Sequence, residues 1–502
     1  MAKKIMIQGT MSNAGKSLIA AALCRIFAEE GLKVCPFKSQ NMALNSFITE
    51  DGKEMGRAQV MQAEAAKIKP DVRMNPILLK PNSDTGSQVI VNGLVRGNMN
   101  AMEYYRRKTE LIPDILEAFH SLEQEYDIIV IEGAGSPAEI NLKEHDLVNM
   151  GLAKMVDAPV LLVGDIDRGG VFAQLYGTVM LLEQEERERM IGLVINKFRG
   201  DASILKPGLV SIEELTKLPV VGVVPYMKLD IDDEDSLSER LTQNDAPSSG
   251  IHIVVVRLPH MSNYTDFAIL ESMEGVSVRY VEQVSQAKHP DMLILPGSKV
   301  TGKDLLWLRQ SGWEAFICGE AERGTLIFGI CGGYQMLGEQ IDDPEQMEGC
   351  GTIKGMGLLP VRTVFEQQKH TLQNEAVIRA GRNKNNPDHL LSGWDGKKVK
   401  GYELHHGRTF GMTEENAWMV QADGTLEGTY QGSVFGTYLH GFFDEAELTA
   451  HLISYLYRKK GYEAGNLTLT DRDAQKEMEY DKLAKIVREH MDIELIKKKM
   501  GL

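Results

Sequence analysis

Cysteine is scarce in this chain: Cys24, Cys35, Cys318, Cys331 and Cys350 are all there are in 502 residues, and no two stand at C-x-x-C spacing. An odd, sparse set without metal-ligand spacing argues against a disulfide framework or a structural zinc site. It points to a reduced, cytoplasmic setting. Long apolar runs are also missing. None approaches the ~20 residues of a membrane span, and the opening MAKKIMIQGTMSNAGKS has no signal-peptide apolar region. Positive charge is in deficit. Lys and Arg number 55 against 71 Asp and Glu, a net charge of -16, which excludes the basic field of a general nucleic-acid binder. An acidic substrate must then meet a local basic pocket. Internal repeats and low-complexity tracts are absent. What remains is 43% hydrophobic and 25% charged residues over 502 positions, enough for two or three globular domains.

The first 225 or so residues alternate short apolar runs with amphipathic stretches. The runs KIMIQG, KVCPFK, DIIVIEGAG, PVLLVGDID, IGLVINKF and VVGVVPY have the length of buried strands and often end in Gly, Asp or Asn. That pattern predicts an α/β fold with a doubly wound, mostly parallel sheet whose ligands sit at the strand C-terminal ends. The stretch 229–250 is acidic and poor in large apolar residues, as a linker is. A second α/β series follows in IHIVVVRLP, SVRYVE, DMLILPGSK, GTLIFGICGG and GSVFGTYLHGFF. The expected division is a P-loop domain over 1–228, the linker, a second α/β domain over 251–450, and a helical tail over 451–502.

The segment from Gly9 and Thr10 to Gly15, Lys16 and Ser17 follows a strand and precedes the apolar helix SLIAAALCRIFAEE. In that context backbone N–H groups cradle phosphates, the lysine neutralises β/γ oxygens, and the serine hydroxyl ligates Mg²⁺. Five residues separate the two glycines rather than the usual four. The variant loop resembles that of dethiobiotin synthetase, whose family activates a carboxylate with ATP as a mixed anhydride. Glu132, just past DIIVI, then has the place of a Mg²⁺ ligand. Asn196, at the end of IGLVI, has that of an adenine reader, and Lys38 could meet a substrate carboxylate or phosphate. Each has a plainer reading: a turn acid, a strand cap, a solvated lysine.

The second motif is TLIFGICGGYQMLG. A strand runs straight into Cys331 between glycines, and a helix begins: a nucleophile elbow with sulfur in place of oxygen. A buried structural cysteine has no need of such neighbours. The Gly332 N–H could bind an oxyanion, with a second donor from Gly297 in ILPGSK. His440, in GTYLHGFF, is the candidate base. His405 and His406 could line a site or be core and surface residues. The pair resembles the class I glutamine amidotransferase domain. Many members carry an acid two residues after the histidine, where this chain has Phe442, so His440 either works in a dyad or takes its orienting acid from elsewhere. Asp444 and Glu403 are the candidates.

The strings GTMSNAGKS, PFKSQNMALNS, EMGRAQVMQAEAA, EGAGSPAEINL, HDLVNMGLA, GDIDRGGVFA, INKFRGD, LPGSKVTGKDL, GICGGYQMLG, GYELHHG and GTYLHG together resemble the cobyric acid synthase family over nearly the whole length. The resemblance implies a ligase of cobalamin biosynthesis. It would use ATP, Mg²⁺ and glutamine to amidate the b, d, e and g carboxylates of adenosylcobyrinic acid a,c-diamide, a corrinoid. It makes Asp146, in EHDLVNMGLA, a metal- or substrate-handling acid; the alternative is a helix-capping aspartate. The related cobyrinic acid a,c-diamide synthases share both domain types, and PFKSQN and DIDRGGVFA favour the first reading. A cell-wall lipid amidase usually divides the two activities between chains. A P-loop partitioning ATPase would lack the Cys331 and His440 motif and would bind DNA or membrane.

Overall fold

A computed structural model describes residues 2–82, 86–231, 250–386, 388–462 and 472–502 of the chain. It resolves into two compact bodies, and a single cut in the sequence does not separate them. One takes the chain up to Ala43, the stretch from Glu54 through the strand Val220–Pro225, and the C-terminal helices from Gln475. The other takes Leu44–Lys53 and the chain from Ile251 through the helix Ala446–Lys459. Most of the acidic stretch expected as a linker lies outside the described residues.

In the first body six parallel strands form one sheet. Their order is Val220–Pro225, Met190–Phe198, Val160–Asp165, Lys3–Gly9, Ile128–Glu132 and Val34–Phe37. All six apolar runs picked out in the sequence are present. They are unalternating because helices cover both faces of the sheet: Ile128–Glu132 is buried at every position. Strand order reverses at Lys3–Gly9, which has later strands on either side. That is the switch point where a crevice opens above the strand ends. The helix Lys16–Glu29 follows directly, with Ile19 through Phe27 buried. Against the same core pack Tyr480, Leu483, Ala484 and Val487 of the helix Arg472–His490, and Ile493, Ile496 and Met500 of the helix Ile493–Met500. A separate four-stranded sheet joins Gln40–Met42, Ile77–Pro81, Gly86–Val91 and Leu94–Asn100.

The second body is built on a larger mixed sheet. Five parallel strands run in the order Val276–Val281, Ile251–Val256, Met292–Leu295, Leu326–Ile330, Val434–Thr437. Antiparallel strands extend it, and the longest pair is Arg362–Ile378 with Lys398–Phe410. The parallel half follows the apolar runs of the sequence. The long hairpin does not show there, because half-exposed strands rich in polar residues lack an unbroken apolar signal. Among the described residues no helix is long and apolar enough to cross a membrane.

Candidate active sites

The register of the first sheet places Ile7 beside Glu132, Gly9 beside Val163 and Asp165 beside Asn196. The named nucleotide-site residues thus share one end of adjoining strands. Gly15 holds φ 96° before the helix, and a Cβ there would run into the Asn196 amide. Only glycine meets both conditions. Asn196 Nδ2 donates to the Ala14 carbonyl at 2.9 Å, which ties the phosphate loop to the neighbouring strand end. Its Oδ1 is buried without a hydrogen-bond partner among the described residues. Lys16 Nζ donates to the Met11 carbonyl at 3.2 Å, folding back over the loop. The Thr10 hydroxyl donates to Gln174 at 3.1 Å.

Glu132 gathers this end of the site. Its carboxylate accepts from the Ser17 hydroxyl and from Lys38 Nζ, each at 2.9 Å, and from Gln62 Nε2 at 2.5 Å. Gln59, one turn earlier on the helix Arg57–Ala65, lies at 3.5 Å. Burial alone would raise the Glu132 pKa; the Lys38 and Lys16 charges and the Gln62 bond outweigh it and hold the carboxyl below its ordinary value. An ionised carboxylate beside a serine hydroxyl is a donor set suited to Mg²⁺, which prefers hard oxygens and few protein ligands. Lys38 is therefore an ion-pair partner of Glu132, buried rather than solvated. Gln59 and Gln62 were not anticipated, since glutamine in a helix carries no sequence signal of its own.

Asp146 is held by the backbone of the turn that follows it. Its carboxylate accepts from the backbone N–H groups of Val148 and Asn149 at 2.9 Å each, and from Gly151 at 2.8 Å. These bonds close the backbone turn that leads into the short helix Met150–Met155, whose N-cap is Asn149. The same turn presents Asn149, which exchanges bonds with the backbone of Ala134 just past Glu132.

In the second body Cys331 ends the strand Leu326–Ile330 and holds φ 51°, ψ -108°. A non-glycine residue in that region is strained, as the elbow turn requires. The flanking glycines have steric causes. A Cβ on Gly333 would strike the Leu295 carbonyl, and one on Gly332 would come 2.8 Å from the Ser298 nitrogen. The elbow thus packs directly on the Gly297–Ser298 strand, and a Cβ on Gly297 would lie 3.3 Å from His440 Cε1. Gly332, Gly297 and Ser298 adjoin the nucleophile together; Ser298 was not foreseen.

His440 is buried, bonded to Asp266 on one side, with the Cys331 sulfur close enough to help raise its pKa. Its Nδ1 lies 2.7 Å from Asp266 Oδ2, and the other Asp266 oxygen accepts from the Gly441 N–H at 3.2 Å. Burial would lower the His440 pKa, but the Asp266 carboxylate and the Cys331 sulfur overcome it and raise it to about 10. The orienting acid missing at Phe442 thus comes from 174 residues earlier, in the turn Tyr264–Phe267. Neither residue suggested for that place fills it. Glu403 bonds His405, Asn374 and Gln421 at 3.2, 2.6 and 2.8 Å. Asp444 folds back on Gly441 through its backbone N–H. The available signal for Asp266 was its place in the loop after the parallel strand Ile251–Val256, where ligands gather.

The motif GYELHHG has a physical reading here. A Cβ on Gly401 would strike the His440 carbonyl, and one on Gly407 would strike the Gln335 amide. Both glycines let the strand Lys398–Phe410 lie against the nucleophile, whose Sγ is 3.5 Å from the Leu404 carbonyl. His405 turns to the other face, bonded to Gly407 and stacked on Tyr438.

Residues 5–237 match the family model of the CobQ/CobB/MinD/ParA nucleotide binding domain, and residues 252–448 match that of the CobB/CobQ-like glutamine amidotransferase domain. Fold and sites thus define a glutamine amidotransferase joined to a nucleotide-binding domain. The chain is 55% identical to the cobyric acid synthase of Lachnoclostridium phytofermentans, over 99% of this chain and 98% of that one. It is 53% identical to that of Ruminiclostridium cellulolyticum, over 99% and 97%, and 50% identical to that of Streptococcus sanguinis, over 99% and 98%. The chain belongs to the cobyric acid synthase family, ligases that form amides with nitrogen from glutamine.

Proposed function

We propose that the chain converts adenosylcobyrinic acid a,c-diamide to the corresponding hexaamide, amidating its b, d, e and g carboxylates with one ATP and one glutamine each. The observation that carries this reading is the pairing of two complete sites on one chain that matches cobyric acid synthases end to end. A carboxylate is a poor acceptor for ammonia, so ATP must first convert it to an acyl phosphate, from which ammonia displaces phosphate. At the phosphate loop, Gly9, Thr10, Gly15 and Lys16 hold the ATP phosphates, and Asn196, whose Oδ1 has no partner among the described residues, reads the adenine. Ser17 and Glu132 would hold Mg²⁺, which when bound would neutralise phosphate charge. Lys38, paired with Glu132, is placed to meet the incoming carboxylate, and Asp146 holds the neighbouring turn.

At the other site Asp266 orients His440, which keeps Cys331 as thiolate. The sulfur attacks the glutamine carboxamide carbon while the Gly332, Gly297 and Ser298 turns supply oxyanion donors. His440 gives its proton to the departing ammonia. Water, activated by His440, then frees glutamate from the thioester. We place the protein in the cytoplasm, with ATP and glutamine. The test is mass analysis of the a,c-diamide and of cobyrinic acid incubated with the protein, ATP, Mg²⁺ and glutamine. Four successive losses of about one mass unit are expected on the a,c-diamide, since NH₂ replaces OH. Conversion of cobyrinic acid alone, stopping after two, would instead identify a diamide synthase.

A further inference from the structure

The segment Leu44–Lys53 is the unexpected member of the second body. Its Ser46 carbonyl accepts from the Asn263 amide at 3.2 Å and from the Tyr402 hydroxyl at 3.3 Å, and the Asn263 amide also donates to that hydroxyl at 2.6 Å. These three groups are buried. Tyr402 lies flat on the His440 imidazole, with ring centroids 5.1 Å apart and planes 18° apart. The two residues also exchange backbone bonds, Tyr402 N–H to the His440 carbonyl at 3.1 Å and His440 N–H to the Tyr402 carbonyl at 2.9 Å. Asn263 opens, in the left-handed region at φ 53°, the turn that carries Asp266, whose N–H donates to the Asn263 carbonyl at 3.2 Å.

One backbone carbonyl from the first tenth of the sequence thus anchors both supports of the candidate base: the ring on its face and the turn that supplies the acid at its edge. The rest of the segment is fastened to the same body. Phe47 packs on Tyr402 at 5.7 Å, Ile48 clusters with Tyr402 and Leu404, the Gln373 amide donates to the Ile48 carbonyl, and the Thr371 hydroxyl donates to the Gly52 carbonyl at 2.8 Å.

We propose that Tyr402 is a positioning residue for the glutaminase base and that the segment Leu44–Lys53 sets it through the Ser46 carbonyl. The inference rests on the reading of Cys331 and His440 as the glutaminase pair. Its chemistry has two parts. The ring face stabilises the imidazolium by cation–π attraction, and the hydroxyl fixes where that ring stands. The ionisable groups that raise the imidazole's pKa, Asp266, which is bonded to it, and the neighbouring Cys331, remain in every variant used below except the Cys331 control.

The test is glutamate release by the full-length protein, wild type against Tyr402→Phe, Tyr402→Leu and Cys331→Ala, over a range of pH. Phe keeps the stack and loses the anchor; about tenfold loss of kcat is expected, with the KM for glutamine within about twofold. Leu also loses the ring face; a further loss of about tenfold is expected, and the alkaline limb of the kcat profile moves to lower pH in Leu alone, because the imidazolium has lost a stabilising partner. Wild-type kcat in Phe overturns the proposal, as does a loss expressed in KM or an alkaline limb unmoved in Leu. Glutamine hydrolysis persisting in Cys331→Ala overturns the reading of the site itself, and so separates the two failures.

Discussion

Cys331, His440 and Asp266 illustrate how a side chain's chemistry is set by what the fold brings to it. An isolated imidazole holds its proton only up to pH ~6.5. Here the buried carboxylate of Asp266 raises His440 to about 10, so the imidazolium survives throughout the neutral range and is lost as pH rises through that value. Glutamine hydrolysis should therefore hold on the alkaline side until about pH 10. Asp266→Asn removes the raising charge, so its alkaline limb should shift to lower pH, and kcat should fall ~100-fold or more. A pH–rate profile of glutamate release on both proteins checks this; an unmoved limb would mean that Asp266 does not govern His440. Cys331, His440 and the phosphate loop could be read from local motifs because a nucleophile turn and a phosphate turn need particular neighbours. Asp266, Ser298, Gln59 and Gln62 could not, because their partners are remote in sequence and their own residue types are ordinary.

The elements differ in how openly they announce themselves. Parallel strands buried on both faces read as unbroken apolar runs, which is why all six of the first sheet and the parallel half of the second were legible. The hairpin Arg362–Ile378 with Lys398–Phe410 was not, since its length mixes polar and apolar residues. The helix Arg472–His490 was visible as a helix, but not its destination. It completes the core around Lys16–Glu29, and its Glu477 and Asp481 each bond the buried Arg25 at 2.6 Å. Leu483→Ala, at a fully buried position, should destabilise the nucleotide-binding body by ~2–5 kcal/mol. Urea unfolding measures it; a cost below about 1 kcal/mol would show the helix to be peripheral to that core.

At the scale of the molecule, two chemistries on one chain should separate by mutation. Cys331→Ala is expected to abolish amidation from glutamine while added ammonium ion still supports it. Lys16→Ala should lose amidation with either nitrogen source and retain glutamine hydrolysis. Product mass and glutamate release, measured side by side, decide it. Amide synthesis from ammonium by the Lys16 variant at the wild-type rate would remove the phosphate loop from the reaction.

The amino-acid sequence by itself determined the fold class, the phosphate loop, the candidate nucleophile and base, and through its long strings the family. These depend on local pattern: burial period, turn sterics and helix starts. Tertiary structure decided which acid bonds His440, what Lys38 and Asp146 bond to, and that Leu44–Lys53 and the C-terminal helices belong to bodies their sequence positions do not suggest. Such pairings join residues hundreds of positions apart, and only the closing of the sheets and cores selects them.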